Sequence, residues 1–388
     1  MPTTPTPRGT RRNDVSIPEQ FEGLVVVKLG TSTLTKGTQT IDQSYISDLC
    51  EQVATLRHEG TPVVIVTSGA AAAGRERLGI KQRPSDIPTL QACAAAGQAV
   101  LTEIYATELA KRGIACGQVL LTRRDVVNRE GYLNARNTLM RLLDLGAVPV
   151  VNENDTVSVS EFAFGDNDML GAIVSALLGA SLYMILSDVE GLYTANPNED
   201  DSAELIHDVE VIDERIAAMA GGAGSAVGTG GMTSKVRAAR SMLAAGIPLV
   251  ICQGRRANVV VDVAHGKRVG TRFANETGVA HGSGRKLWIG LAEVPQGTVT
   301  VDEGAARALV HEGASLLPVG VRSVNGNFVE GDVVSVEDGR GVEIARGVAR
   351  YSSDDMDRVR GLKLDIVARF LPQKKDQPAI HRDELLVF

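Results

Sequence analysis

A glycine- and threonine-rich segment, GTGGMTSK at residues 228–235, ends on a lysine and leads into a stretch of helical character. Glycines let the backbone approach phosphate oxygens closely, and a lysine at such a place adds positive charge. The segment is not a P-loop, because that motif has glycine directly before its lysine. Here Ser234 precedes Lys235. The pattern therefore predicts a phosphate-binding loop of another kind.

Two short apolar runs end in polar residues that suit an anion. Lys28 lies inside the first run, and a lysine in a covered strand is costly unless its ammonium group meets an anion. A strand-end lysine that reaches solvent is the alternative. Ser68 and Gly69 follow the second run at a strand-to-helix turn, where backbone N–H groups favour negative charge. A serine that caps an alanine-rich helix is the alternative there.

Two clusters of carboxylate and amide side chains lie close together in the sequence. The first follows an apolar run and the second opens an apolar-striped helix; they comprise Asn152, Glu153, Asn154 and Asp155, and Asp166, Asn167 and Asp168. Helix capping could account for one of these residues. Acceptors and amide donors together suit a zwitterionic amino acid. Asp155 could accept a hydrogen bond from its ammonium group, and Asn167 could donate one to its carboxylate.

The elements around these residues predict an α/β domain. Continuous apolar runs are typical of parallel strands covered on both faces, and they lie at 24–30, 62–69, 148–152, 182–188 and 247–252. Helical periodicity at 42–60 and 168–181 alternates with them. A mostly parallel sheet of this kind binds ligands at the carboxyl ends of its strands. The polar residues described above should therefore lie together at the carboxyl edge of this sheet.

The composition and the pattern of apolar residues change after about residue 275. A polar, glycine-rich segment at 274–286 is followed by short strand-like pieces, and Asn325-Gly326 predicts a hairpin turn between two of them. These features predict a small β-rich second domain.

Charge and composition limit the function classes. The net charge is −7 and the pI about 5.5, so the chain as a whole does not attract nucleic acid or anionic membranes. The four cysteines and six histidines show no metal-ligand spacing. No apolar run reaches the roughly 18 residues of a membrane span, and we expect a cytoplasmic protein.

The motifs together resemble glutamate 5-kinase, a member of the amino-acid kinase family. VVKLGTS, VTSGA, NENDTV, GDND, GLYTANP and GTGGMTSK occur in the order and spacing of that family, and VDEGAARAL with GASLLPVGV resembles its C-terminal PUA domain. The resemblance spans roughly residues 22–385. It implies an αβα sandwich with a mostly parallel sheet and a small β-rich domain. The expected segments are a disordered tail (1–20), the kinase domain (21–275), a linker (276–290), the PUA-like domain (291–375) and a C-terminal tail (376–388).

The resemblance also implies roles for single residues. Lys28 and Lys235 would contact the ATP phosphates, with Asp168 orienting both lysines. Ser68, Asp155 and Asn167 would bind glutamate, and the overlapping Asn152 and Glu153 would take part in feedback inhibition by proline. The nucleotide would be bound by Ser187, Asp188, Thr229, Gly230, Gly231, Met232, Thr233, Ser234 and Lys235. Ser187 departs from the family, which more usually has threonine there, but it keeps the hydroxyl group.

The implied reaction is ATP-dependent phosphorylation of the γ-carboxylate of L-glutamate, the first step of proline biosynthesis. A carboxylate with a pKa near 4.3 is ionised at neutral pH, so no general base is required. Mg²⁺ would be carried by the nucleotide phosphates rather than by protein ligands. The resemblance further implies a homo-oligomer and coupling to glutamyl phosphate reductase.

Two alternatives stay open at this point. Acetylglutamate kinase, aspartokinase and uridylate kinase share the fold and the lysines, but they lack the GDND and GTGGMTSK combination with a PUA-like tail. PUA domains also often bind RNA. Residues 285–388 contain 14 Lys and Arg against 16 Asp and Glu, a balance that disfavours binding to a phosphate backbone.

Overall fold

A computed structural model describes residues 23–38, 40–127, 129–158, 167–197, 199–220, 231–275 and 295–388. The expected N-terminal tail at 1–20 and linker at 276–290 lie outside the described residues, as do Asp166, Thr229 and Gly230.

The larger of the two described sheets is mostly parallel, as the sequence predicted. Its eight strands are β1 (Val25–Leu29), β2 (Val63–Val66), β3 (Cys116–Leu121), β4 (Val148–Glu153), β5 (Leu182–Ser187), β6 (Asp208–Val209), β7 (Leu249–Gln253) and β8 (Thr271–Phe273). They lie in the order β3-β4-β2-β1-β5-β7-β8-β6, and among these pairs only β7 with β8 is antiparallel. The five predicted apolar runs form β1, β2, β4, β5 and β7.

Helices cover both faces of this sheet. They are α1 (Thr31–Thr35), α2 (Gln43–His58), α3 (Ala70–Arg77), α4 (Ile87–Ala110), α5 (Arg123–Val127), α6 (Arg129–Asp144), α7 (Asn167–Leu178), α8 (Glu214–Ala220), α9 (Met232–Ala245) and α10 (Val259–Ala264). Val25 and Val27 pack with α2, α4 and α10, whereas Val26 packs with α6, α7 and α9. The fold is therefore the expected αβα sandwich. None of the described helices is long and apolar enough to cross a membrane.

Helices α3 and α4 approach each other through two glycines. A Cβ atom added at Gly97 would lie 1.8 Å from the carbonyl oxygen of Ala70, and one added at Gly74 would lie 1.7 Å from that of Cys93. Contacts this short with backbone atoms cannot be relieved by a side-chain rotation. The two glycines therefore set the distance between α3, which follows the Ser68 turn, and α4.

We expect Gly97→Ala to lower the free energy of unfolding by about 3 kcal/mol, because the helices must separate to admit the methyl group. Urea unfolding measures the change. Gly339→Ala is the matched control, since Gly339 has no heavy atom within 4 Å of the added Cβ. Equal stability of the two variants would contradict the close approach of α3 and α4.

The C-terminal part forms a second, smaller sheet with its own core. It contains β9 (Gly297–Val301), β10 (Val321–Gly326), β11 (Val333–Glu337), β12 (Glu343–Ala349) and β13 (Ile380–Val387), in the order β10-β9-β11-β12-β13. Its helices are α11 (Glu303–Glu312), α12 (Ser353–Val359) and α13 (Leu364–Phe370). Buried residues of the sheet and helices form one apolar cluster.

Two sequence predictions in this part were wrong. The Asn325-Gly326 pair does not turn β10 back onto the next strand: it ends β10, which is antiparallel to β9, while β11 is parallel to β9 on its other side. Residues 376–388, expected as a tail, contain β13, which is antiparallel to β12. In both cases the strand partners are distant in the sequence, so local turn signals do not determine the pairing.

The second sheet is docked on the first domain. Leu386 of β13 is fully buried within the apolar cluster that contains α7 and α9 residues. Arg340 forms an ion pair of 2.7 Å with Glu214 of α8, and Arg240 of α9 lies within electrostatic range of Glu343 and Arg346. The β-rich unit has its own fold, as predicted, and packs near the helices on either side of the glycine-rich segment.

Candidate active site

The predicted polar clusters meet at the carboxyl ends of the central strands. Strand β1 lies between β2 and β5. Strands β2, β4 and β3 extend the sheet on one side of β1, and the later strands, from β5 on, extend it on the other side. Such a reversal opens a crevice at the carboxyl edge, where ligands bind in open α/β sheets. Lys28 belongs to β1, Ser68 follows β2, Asn152 is the last residue but one of β4, and Ser187 ends β5.

A buried carboxylate joins the two candidate phosphate-binding lysines. The Nζ atom of Lys28 lies 2.5 Å from Oδ1 of Asp168, and the Nζ atom of Lys235 lies 3.2 Å from Oδ2. Ser234 donates its hydroxyl to the same Oδ2 at 2.9 Å. These residues come from β1, α7 and α9, so three elements distant in the sequence supply one cluster.

The charges of this cluster leave a net positive group. Burial opposes ionisation of Asp168, but the charges of Lys28 and Lys235 and the hydrogen bonds from Lys28 and Ser234 outweigh it and hold its pKa below the ordinary range. With Asp168 ionised and both lysines protonated, the three side chains carry one net positive charge. A poorly solvated positive group of this kind suits a polyanion such as a phosphate chain.

The start of α9 places Lys235 in the first turn of the helix, after Gly231 at the N-cap. Thr233 donates its hydroxyl to the carbonyl of Ala220 at 3.0 Å, which ties α9 to the end of α8. Since the hydroxyls of Thr233 and Ser234 both donate within the protein, we expect phosphate contacts from backbone N–H groups and Lys235 instead.

The amide of Asn167 connects the loops proposed to hold the acceptor. Its Nδ2 atom lies 2.6 Å from the carbonyl oxygen of Thr67, 3.0 Å from Oγ of Ser68 and 2.9 Å from Oδ1 of Asn152. Asn167 directly precedes Asp168 at the start of α7. The acceptor loops and the lysine cluster are therefore joined through neighbouring residues of one helix.

The turn after β4 carries the two acidic candidates. Glu153 is buried and its carboxylate accepts from the hydroxyl of Ser158 at 2.8 Å. Burial and the nearby negative charge of Glu153 raise the pKa of Asp155 from its ordinary value of 3.8 to about 6. Such a carboxylate is ionised at neutral pH, and a cation placed beside it would lower its energy.

The turns after β1, β5 and β7 are held together on the side predicted to bind the nucleotide. Ser187 donates its hydroxyl to Asp188 at 3.1 Å, and its carbonyl accepts from the N–H of Gly254. Arg255 donates to the carbonyl of Thr33 at 2.8 Å and stacks on Tyr45 at 4.7 Å. Neither Arg255 nor Tyr45 was singled out from the sequence, because an Arg-Arg pair after a strand gives no signal that distinguishes it from a solvated turn.

The structure therefore brings seven of the predicted residues into two adjoining groups. Lys28, Asp168, Lys235 and Ser234 form the lysine cluster, and Ser68, Asn152 and Asn167 form the acceptor cluster. Ser187 and Asp188 lie on the neighbouring strand end. Among the described residues, no group of three or more His, Cys, Asp or Glu side chains is arranged to hold a metal ion.

Comparison with known proteins agrees with this fold. A profile described as Amino acid kinase family matches residues 23–253, and a profile of the PUA domain matches residues 297–371. The chain thus belongs to the amino acid kinase family and carries a PUA domain.

Comparison with individual proteins shows to which group of this family the chain belongs. The glutamate 5-kinase of Vibrio vulnificus is 43% identical over 376 residues, which are 97% of this chain and 98% of that protein. The glutamate 5-kinase of Moorella thermoacetica is 44% identical over 94% of this chain and 96% of that protein. Within the amino acid kinases, this chain belongs to the glutamate 5-kinases. A UMP kinase structure from Ureaplasma parvum is 15% identical, with a TM-score of 0.45 over 65% of this chain and 98% of that one, too weak a likeness to bear on the substrate.

Proposed function

We propose that this protein transfers the γ-phosphoryl group of ATP to the γ-carboxylate of L-glutamate, giving L-glutamyl 5-phosphate and ADP. The observation that carries the proposal is the direct succession of Asn167 and Asp168 at the start of α7. Asn167 contacts the acceptor loops, and Asp168 joins the two lysines. One helix end therefore sets an amino-acid acceptor beside a phosphate-binding group. The relatives named glutamate 5-kinase support the same assignment.

The chemistry proposed for these residues is charge neutralisation and positioning. A carboxylate oxygen of glutamate attacks the γ-phosphorus, and the bond from that phosphorus to the bridging oxygen of ADP breaks. The nucleophile is already ionised at neutral pH, so no proton has to be removed. Two anions must nevertheless approach each other. Lys28 and Lys235 would offset the phosphate charge during this approach, and Asp168 would keep both ammonium groups in place.

Mg²⁺ fits this proposal as a companion of the nucleotide. It usually takes its ligands from phosphate oxygens, water and one or two carboxylates, where it neutralises phosphate charge. Asp168, whose two oxygens face the lysines, is a positioning group in this proposal and not a metal ligand.

The test is formation of an acyl phosphate, trapped by hydroxylamine as a hydroxamate, from ATP and each of four acceptors. L-Glutamate should give hydroxamate and N-acetylglutamate and aspartate should not, because the loops would bind a free α-ammonium group and a γ-carboxylate. UMP should not stimulate ATP turnover. Hydroxamate from N-acetylglutamate alone would replace this proposal with the acetylglutamate kinase alternative.

Asp155 is the residue we propose for the α-ammonium group of glutamate. We expect Asp155→Asn to raise the KM for glutamate by roughly 10- to 100-fold, with a much smaller change in the KM for ATP, because the variant loses a charged partner of a partly buried cation. Initial rates at varied glutamate and varied ATP separate the two constants. Equal increases in both would assign Asp155 a structural role.

The pH dependence of the same site follows from the raised pKa of Asp155. Protonation below pH about 6 removes its charge, so kcat/KM for glutamate should fall as the pH falls through about 6. Asp155→Asn should lack this dependence.

The raised pKa of Asp155 affects stability with the opposite sign. The folded protein binds this proton more tightly than the unfolded chain does, so the free energy of unfolding falls as the pH rises from 3.8 to about 6. At pH 7 the variant should therefore unfold at a higher urea concentration than the wild type.

The place in proline biosynthesis and the inhibition by proline belong to this proposal. Asn152 and Glu153 stay the candidates for the proline response, since Asn152 belongs to the acceptor cluster and Glu153 directly follows it. The homo-oligomer and the coupling to glutamyl phosphate reductase stay predictions.

A further inference from the structure

A line of polar side chains runs from the interior of α4 to the acceptor cluster. Oε1 of Gln98 accepts from Nδ2 of Asn152 at 2.7 Å, and Oδ1 of Asn152 accepts from Nδ2 of Asn167 at 2.9 Å. Gln98 is buried, and the other buried residues of its helix are Cys93, Ala94, Gly97, Leu101, Tyr105 and Leu109. At its other end, Nε2 of Gln98 donates to the hydroxyl oxygen of Thr102 at 3.2 Å. Thr102, Gln98, Asn152, Asn167 and Ser68 thus form one hydrogen-bonded series.

The donor and acceptor roles along this series are set by backbone groups. The hydroxyl of Thr102 donates its single proton to the carbonyl of Gln98 at 2.8 Å, so its oxygen can only accept from the side chain of Gln98. The N–H of Glu153 can only donate, and it faces Oδ1 of Asn152 at 2.9 Å. The carbonyl of Thr67 can only accept, and it faces Nδ2 of Asn167. These three backbone groups independently require the same orientation of the three amides.

We infer that Gln98 is a positioning residue for the phosphoryl acceptor: through Asn152 it supports the orientation of the Asn167 amide that the backbone groups also favour, and thereby the place of the Ser68 hydroxyl. The inference rests on the proposed function, because it assigns Gln98 to the glutamate side of that site. Gln98 itself contacts neither Asn167 nor Ser68 in the series, so its effect on the acceptor is indirect.

The consequence for Ser68 is a defined direction for its proton. Its oxygen lies 3.0 Å from Nδ2 of Asn167, an amide nitrogen that cannot accept a hydrogen bond, so Ser68 does not donate its own proton there. A hydroxyl oriented in this way donates to an anionic acceptor such as a carboxylate. If the amide of Asn152 rotated by 180°, its Nδ2 would face the N–H of Glu153 and the amide of Asn167, which are both donors. The side-chain oxygen of Gln98, Oε1, accepts from Nδ2 of Asn152 and so favours the orientation that avoids this conflict.

The test is Gln98→Met, which keeps the approximate volume and removes the acceptor. Asn152 is 1% exposed, so water cannot replace the lost partner. We expect the KM for glutamate to rise roughly tenfold, the size typical of a buried donor left unsatisfied, while kcat and the KM for ATP change far less. Gln98→Glu retains an acceptor at this place and should raise the KM for glutamate less than Gln98→Met does. Hydroxamate formation supplies all three constants.

Two further variants separate positioning from simple loss of stability. Gln52→Met removes a glutamine of α2 whose Oε1 accepts from the N–H of Val260 at 2.8 Å, away from the acceptor cluster, and should leave the KM for glutamate unchanged. In an Asn152→Leu background, Gln98→Met should add nothing further, because its effect passes through Asn152. If Gln98→Met does not fold, Thr102→Val removes the group that orients Gln98 and should shift the KM for glutamate in the same direction.

The outcomes distinguish the inference from the function on which it rests. A wild-type protein that forms hydroxamate from glutamate, with an unchanged KM in Gln98→Met, overturns the role of Gln98 alone. Equal losses in kcat and in both KM values, or additive effects with Asn152→Leu, also overturn it. A wild-type protein that forms no hydroxamate from glutamate overturns the proposed function, and the role of Gln98 with it.

Discussion

Lys235→Met should lower the turnover number roughly 100- to 1000-fold and leave the protein folded, by analogy with removal of one preorganised donor from an oxyanion site. The methionine side chain fills most of the space of the lysine stem but carries no charge. Asp168 keeps Lys28 and the hydroxyl of Ser234 as partners, so the variant does not strand a buried carboxylate. The loss should therefore appear in kcat, measured as hydroxamate formed at saturating glutamate and ATP.

A matched control comes from the second domain. Lys374 is 8% exposed, close to the 7% of Lys235, and it pairs with Glu330 at 2.6 Å and donates to the carbonyl of Arg350. Lys374→Met removes an equally buried ammonium group far along the chain from the candidate site. It should reduce stability and spare kcat. Near-normal turnover in Lys235→Met, or an equal loss of turnover in both variants, would remove Lys235 from the proposed mechanism.

Local sequence patterns predicted the central part of the fold well. Strands β1, β2, β4, β5 and β7 are continuous apolar runs because both of their faces are covered by helices. Strand β3 lies at the edge of the sheet and is only partly buried, so its sequence, CGQVLL, lacks such a run. Strands β6 and β8 are two and three residues long, too short to leave a periodicity. The strands that escaped prediction are those with little burial or little length.

The candidate site was predictable where chemistry and position in the chain agree. Lys28 lies near the end of an apolar run, and Ser68 and Asn152 lie at the ends of two others, which is the place where an open sheet binds ligands. Local patterns could not show that Lys28 and Lys235 share the carboxylate of Asp168, which only the family resemblance implied, because 67 residues separate Asp168 from Lys235. Gln98 was missed for a related reason: a single polar residue on an apolar helix face does not reveal which buried group it meets.

Asp168→Asn should have the largest combined effect on activity and stability. Asp168 is fully buried and its two oxygens face different lysines. An asparagine keeps the shape but has one acceptor oxygen, and its amide nitrogen repels a protonated lysine. Two buried ammonium groups then lose the carboxylate that they share. Removing one member of a buried ion pair typically costs about 3–5 kcal/mol, so we expect a loss of unfolding free energy of that size. Turnover should fall at least about 1000-fold, because both lysines lose their fixed positions.

A second substitution separates the two effects of Asp168→Asn. Adding Lys28→Met removes one of the two ammonium groups that Asp168 held, so urea unfolding should show a double variant more stable than Asp168→Asn alone. Turnover should not recover, because the proposed mechanism needs both lysines at the phosphates.

Asp338→Asn serves as the control, since Asp338 is a buried aspartate paired with Arg340 in the second domain and contributes nothing to the lysine cluster. If the double variant regained activity together with stability, Asp168 would act only by supporting the fold. If it regained neither, the destabilisation would not arise from the paired positive charges, and the arrangement of Lys28, Asp168 and Lys235 as one electrostatic unit would be wrong.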